Sequence, residues 1–255
     1  MTISNKEIEE LELKYLEKIY SALNANLENI IDNLLSMNKL IDHWKEKIKI
    51  TKSGNTNNKE DGFDVGAERV IYSVLQRASD LGEPNSSPVA ADLFFENREA
   101  FVNIDLKTCQ EKSNLADHWA HSISVNQTSY RSKMNVKNSK KSERPYEPAL
   151  EKYYLGKPNL TYFVTILYSF NKIYSIANIN VAAMPNGQLV EVYGKDPLRP
   201  GKNPPQARFA QENCYKFKLL NNKKRIKILY ENLSCLDNNS IKKLEDKLLS
   251  LIRVS

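Results

Sequence analysis

The sequence predicts an α/β protein, with a central mixed β-sheet flanked by helices and a helical region at the N-terminus. Three observations predict it. Apolar residues recur at helical spacing near the start of the chain, over about 65–81 and again near its end. Between these helices lie apolar runs rich in Val, Ile, Phe and Tyr, bounded by turn residues, as strands are. The order of helix, strands, polar segment, strands and helix suits a sheet with helices packed against it. At 255 residues the chain fits one large domain, or one domain with a small appendage, and can bury a full core.

Taken in order, residues 5–48 read as helix. Ile8, Leu11, Tyr15, Leu16, Ile19, Tyr20 and Leu23 share one face. Ile30, Ile31, Leu34, Leu35, Leu40, Ile41 and Trp44 continue the pattern past a break near Asn24-Ala25-Asn26. Such a face either packs on its own domain or meets a partner, so residues 1–50 are expected as a helical region on or beside a core of residues 51–255. A polar loop spans 52–61, and a second helix is expected from Val65 to Leu81 with Asp64 as its N-cap. Two strands, Val89–Phe95 and Ala100–Thr108, joined through Glu96-Asn97-Arg98-Glu99, form a hairpin pattern. Residues 126–148 are polar, basic and poor in core formers, which predicts mobility in the free protein. Strands follow at Leu160–Phe170 and Ile173–Ala182 with a tight turn at Asn171-Lys172. A Pro/Gly/Arg-rich stretch runs from Gly194 to Arg208, then a short strand over Tyr215–Leu220 and a helix over Ser240–Ile252.

Hydrophobic residues make up 41 % of the chain and charged residues 27 %, an ordinary globular balance. No apolar run reaches membrane-spanning length, and the first residues carry no apolar signal core. Cys109, Cys214 and Cys235 are widely spaced and form no CxxC pair. A reduced, cytoplasmic protein is therefore expected. The net charge of +6 and the pI of about 9.0 agree with a polyanionic partner without establishing one. His118 and His121, beside Asp117, are too few for a zinc site. There is no Gly-rich phosphate loop, hence no nucleotide cofactor is expected, and no serine-hydrolase elbow.

The chemistry concentrates in Pro88-Val89-Ala90-Ala91-Asp92 and Asn103-Ile104-Asp105-Leu106-Lys107-Thr108. Residues two apart on a strand face the same way, so Asp105 and Lys107 share a face. A hairpin brings Asp92 beside them. Two carboxylates and an amine at one point are what phosphodiester cleavage uses. A hard cation such as magnesium takes oxygen ligands and neutralises charge on the phosphate, and a lysine positions the attacking water. Acid-x-Lys alone is a weak signal, because Glu12-Leu13-Lys14 and Glu245-Asp246-Lys247 also satisfy it. Asp105-Leu106-Lys107 stands apart because it closes an apolar strand that follows another strand bearing an aspartate.

These motifs resemble the PD-(D/E)XK nuclease superfamily, and among its members the type II restriction endonucleases. The likeness covers about Glu68 to Thr108, with a compatible strand order afterwards. One departure is that Pro88 lies four positions before Asp92 instead of directly before it. The resemblance implies a restriction-endonuclease-like core, a Mg2+ cofactor held by Asp92 and Asp105, a catalytic Lys107, and an assisting Glu68 from the preceding helix. Asp64 and Glu83 stay open as further carboxylates. It implies products with 5′-phosphate and 3′-hydroxyl ends.

The expected partner is double-stranded DNA. Asn126, Gln127, Ser129, Tyr130 and Arg131 follow the catalytic strand and carry groups that read base edges or hold phosphates. Lys133, Lys137, Lys140 and Lys141 suit a phosphate clamp within the loop at about 126–148, and 194–208 offers a second basic loop. The expected activity is that of a type II site-specific deoxyribonuclease, a homodimer cutting a short palindrome. The alternatives are a structure-selective or repair nuclease on the same core, and a non-catalytic DNA-binding protein.

Overall fold

The computed structural model describes residues 3–39, 63–85, 91–111, 132–135, 143–146, 151, 153–184, 198–200, 207–209, 219–220, 223–239 and 241–242. The described helices include α1 (Asn5–Asn24), α2 (Leu27–Leu35) and α3 (Phe63–Leu75), the last followed by a 3-10 turn at Ser79–Leu81. The strands are β1 (Glu83–Pro84), β2 (Leu93–Glu96), β3 (Phe101–Gln110), β4 (Ser132–Asn135), β5 (Glu143–Tyr146), β6 (Tyr153–Tyr154) and β7 (Lys157–Asn171). They continue with β8 (Ile173–Met184), β9 (Leu198–Pro200), β10 (Ala207–Phe209), β11 (Leu219–Leu220), β12 (Lys223–Lys224) and β13 (Ile226–Glu231).

One mixed sheet organises the molecule, in the order β1-β2-β3-β7-β8-β13, with β6 paired on β7. All its pairs are antiparallel except β3 with β7, which run parallel from Phe101↔Asn159 to Gln110↔Tyr168. Parallel neighbours need a long crossover, and the chain between β3 and β7 carries the antiparallel ribbon β4–β5. A second ribbon, β9–β10, pairs Arg199 with Arg208 and lies beside β4. The expected mobile stretch at 126–148 thus contains a strand pair, and the stretch at 194–208 contains another.

The helices cover one face of the sheet. Ile8, Tyr15, Leu16, Ile19 and Leu23 of α1, Ile30 and Leu34 of α2, and Phe63, Ala67, Ile71 and Leu75 of α3 share a core with Val102, Ile104, Val164, Ile166 and Val181. Each such aliphatic side chain contributes roughly 1.5–3 kcal/mol by leaving water. The opposite face carries a smaller cluster of Cys109, Leu167, Ala177 and Leu236. Strand alternation therefore sends the odd-numbered residues of β3 away from the helices.

Local chemistry sets the boundaries. Ser4 and Glu7 form a reciprocal capping box at the start of α1. The expected break at 24–26 separates α1 from α2. Helix α3 starts at Phe63, earlier than the Val65 expected, because the buried Phe63 ring packs on Tyr168 and Tyr174. Asp64 is accordingly inside the first turn and not the N-cap. The helix ends at Leu75, short of the Leu81 expected. Gly82, at φ 111°, then passes so close to Glu96 that a Cβ would sit 2.3 Å from its carbonyl oxygen.

The β2–β3 turn is held by Asn97, whose Oδ1 accepts from the Glu99 and Ala100 amides, each at 2.9 Å, while its Nδ2 donates to Leu81 O. The expected turn at Asn171-Lys172 is present, with Lys172 at φ 68°. The sequence reading missed β13. It pairs antiparallel with β8 through a bulge between Ile228 and Tyr230. Of the strand expected at 215–220, Leu219–Leu220 is observed, and of the helix at 240–252, Ile241 and Lys242; the rest lies outside the described residues. None of the described helices is long and apolar enough to cross a membrane.

Candidate active site

The β2–β3 hairpin does what its sequence predicts. Its register, Leu93↔Ile104 through Glu96↔Phe101, carries Asp92 to the level of Asp105. Asp92 Oδ2 accepts a hydrogen bond from the Leu106 amide at 2.7 Å, which ties the exposed aspartate to the central strand. Asp105, 1 % exposed, forms an ion pair from Oδ2 to Lys107 Nζ at 2.5 Å. Desolvation is the largest influence on the Asp105 carboxyl, and Lys107 opposes it. The neighbouring Asp92 adds both charge repulsion and a hydrogen bond that favours the protonated form, and the pKa stands at about 7.

Helix α3 supplies the other wall. Its apolar stripe packs on the sheet and turns Glu68, Arg69 and Tyr72 toward a cleft of about 470 Å³, lined also by Asn85, Asp92 and Phe94. Glu68 has a raised pKa, first because of partial burial, then because Asp92 and Asp64 repel its charge; Lys107 and Arg69 pull the other way. Glu68 is therefore within electrostatic reach of both Asp92 and Lys107. Asp92, Asp105 and Lys107 come together, and Glu68 approaches Asp92 from a cleft that Asp105 and Lys107 do not line.

Of the two acid-x-Lys look-alikes, Glu245-Asp246-Lys247 lies outside the described residues, and Glu12-Leu13-Lys14 forms no such site. Glu12 is buried against Arg225 at 2.7 Å, and Lys14 turns to Glu99 at 2.6 Å. Glu83 is exposed on β1 opposite Glu96. Asn126, Gln127, Ser129, Tyr130, Arg131, Lys137, Lys140 and Lys141 lie outside the described residues, as do His118 and His121. Lys133 is on β4, where only the backbone is described. The sequence reading missed Arg69, Tyr72, Asn85 and Phe94 as lining residues. Helical spacing of 68, 69 and 72 was the available signal for the first two.

The donor set suits a hard divalent cation. Asp92 and Asp105 offer carboxylate oxygens. The buried Asp105 carboxyl already meets a positive charge, the Lys107 ammonium. Among the described residues no group of three or more His, Cys, Asp or Glu side chains forms a closed cage. Two carboxylates completed by waters is the arrangement magnesium-sized ions accept.

The order of strands and the flanking helices define the restriction-endonuclease fold. Two solved structures share it. Restriction endonuclease BglI bound to its DNA recognition sequence matches at a TM-score of 0.64 and 16 % identity, covering 86 % of this chain and 89 % of that one. Tetrameric restriction endonuclease SfiI bound to cognate DNA matches at 0.62 and 14 %, covering 91 % and 87 %. No curated protein matches the chain. The N-terminal domain model of the type II restriction enzyme MwoI matches residues 4–172, and the central domain model of the same enzyme matches residues 176–231. The chain belongs to the MwoI family of type II restriction enzymes, and it is a site-specific DNA endonuclease. Membership in a restriction-endonuclease family points to a divalent-metal cofactor.

Proposed function

We propose that this endonuclease hydrolyses both strands of double-stranded DNA at a short palindrome, as a homodimer, with Mg2+ held by Asp92 and Asp105. The observation that carries this reading is the buried Asp105 carboxyl, pressed against Asp92 and balanced by the Lys107 ammonium at 2.5 Å. A buried acid with a raised pKa beside a second carboxylate marks a functional site more often than a structural one. The bound cation would neutralise charge building on the phosphate and ease deprotonation of the attacking water.

The protein's own groups do the rest. Asp92 is fixed by the Leu106 amide, so the two acids hold one geometry without substrate. Lys107, on the same strand face as Asp105, positions the water and stabilises its hydroxide form. Glu68 adds a carboxylate from the helix side of the cleft. Arg69 and Tyr72 flank the same space and suit phosphate oxygens.

DNA contacts are assigned to the ribbons β4–β5 and β9–β10 and the chain around them. The two ribbons adjoin, which brings Lys133, Arg144, Arg199 and Arg208 to one region. Residues 126–131 and Lys137, Lys140 and Lys141 belong to this proposed surface. BglI and SfiI were solved on DNA, and SfiI is tetrameric. A two-fold dimer is the simplest assembly that presents two sites to two strands. Sedimentation should then give twice the 29.3 kDa chain mass.

The deciding experiment digests phage DNA with purified protein, with and without Mg2+, beside Lys107→Ala. Discrete fragments that need both Mg2+ and Lys107 are expected, with the variant at least a thousandfold slower and still binding DNA. A featureless smear would overturn palindrome specificity. Full cutting by Lys107→Ala would overturn the site.

A further inference from the structure

Lys107, Thr165 and Asn180 form one row across three strands. Lys107 pairs with Thr165 in the β3–β7 register, and Thr165 pairs with Asn180 in the β7–β8 register. Directly paired residues place their Cβ atoms roughly 5 Å apart on one face. Thr165 is 1 % exposed and Asn180 is 0 % exposed. The Thr165 hydroxyl and the Asn180 Oδ1 have no hydrogen-bond partner among the described residues. The Asn180 amide has a defined orientation, because its Nδ2 donates to Asn178 Oδ1 at 2.8 Å. Its oxygen must face elsewhere.

Buried polar groups left unpaired are costly, and such atoms in a native fold call for a reason. The strand neighbour of Thr165 that carries a donor is Lys107. Its ammonium is engaged by Asp105 Oδ2. Asp105, were it to hold a cation, would be less available to that ammonium. The side chain then needs another acceptor within reach.

We propose that Thr165 is a positioning residue for Lys107, with Asn180 behind it. The ammonium donates to Thr165 Oγ1, the Thr165 hydroxyl donates to Asn180 Oδ1, and both unpaired acceptors are satisfied in one directional chain. The row holds the lysine in register with the attacking water once Asp105 is occupied. The proposal rests on the site reading above.

Thr165→Val keeps the shape and the β-branch and removes only the hydroxyl. The expected result is a tenfold or greater loss in single-turnover cleavage with Mg2+, unchanged DNA affinity in Ca2+, and recovery in Thr165→Ser. Asn180→Ala, which leaves Thr165 in place, is expected to lose less in the same direction and keeps the proposal open to refutation if Thr165→Val does not fold. A second readout does not depend on cleavage. In Ca2+-loaded protein carrying 15N-lysine, the ammonium signal absent from Lys107→Ala should persist in Thr165→Ser and be lost to water exchange in Thr165→Val. Wild-type rate and signal in both Thr165→Val and Asn180→Ala would overturn the proposal, and so would a loss that serine does not restore. If Lys107→Ala itself cuts normally, the site reading falls; if it is inactive while Thr165→Val is normal, only this inference falls.

Discussion

Asp105 is under three opposed influences, and their balance has a measurable sign. Burial and Asp92 hold its carboxyl protonated, Lys107 holds it ionised, and the result is a rise from 3.8 to about 7. A raised acid pKa means that the folded state keeps a proton the unfolded chain has lost. Its contribution to stability is present below the unfolded value and declines as pH rises from about 4 toward 7. Asp105→Asn removes that penalty, so in chelator the variant should melt above the wild type, by more at pH 8 than at pH 5. Three pKa units bound the effect at about 4 kcal/mol. An equal gain at both pH values would contradict the assignment. Asp92, Asp105 and Lys107 were legible in the sequence, because a hairpin and a period of two suffice to gather them. Thr165 and Asn180 were not, because their places beside Lys107 depend on parallel pairing that no local pattern encodes.

Elements were legible where their periodicity was clean, and their ends shifted where tertiary contacts intervened. The hairpin at 93–110 and the long strands β7 and β8 follow from alternating or continuous apolar runs. Helix α3 begins two residues earlier than expected because a core aromatic recruits them, and it ends early at a turn the helical pattern does not announce. Strand β13 was missed because Lys223-Lys224-Arg225 precedes it and reads as a solvated charge run. Gly82 connects α3 to the sheet. Gly82→Ala must accommodate both a φ of 111° and a Cβ 2.3 Å from Glu96 O. It should destabilise by about 2–3 kcal/mol, seen as a lower denaturation midpoint. Because Asp92 and β2 lie just beyond this connection, cleavage should fall with it; unchanged stability would show that the connection yields without strain.

At the scale of the whole molecule, the first helix and the residue that leads into the last strand of the sheet are joined by a buried ion pair. Arg225 is 0 % exposed, and it meets Glu12 at 2.7 Å. The Tyr162 hydroxyl donates to the Glu12 carbonyl at 2.9 Å, fixing the same turn of α1 on β7. Breaking such a pair from one side strands a charge in the core and costs about 3–5 kcal/mol, whereas replacing both partners with apolar residues costs far less. Glu12→Leu and Arg225→Leu should each lower the denaturation midpoint strongly. The double variant should regain most of the loss, and simple additivity in the cycle would refute the coupling. A sequence gives no sign of this contact, since either residue alone looks like surface charge.

The separation of that pair, 213 residues, also bears on synthesis. A ribosome releases α1 and the β2–β3 hairpin long before Arg225 exists. Until then Glu12 lacks the Arg225 guanidinium, and β8 lacks its β13 neighbour. The described sheet is complete only once the chain through Glu231 is made. Premature termination yields a fragment that carries Asp92, Asp105 and Lys107 and lacks the scaffold that holds them.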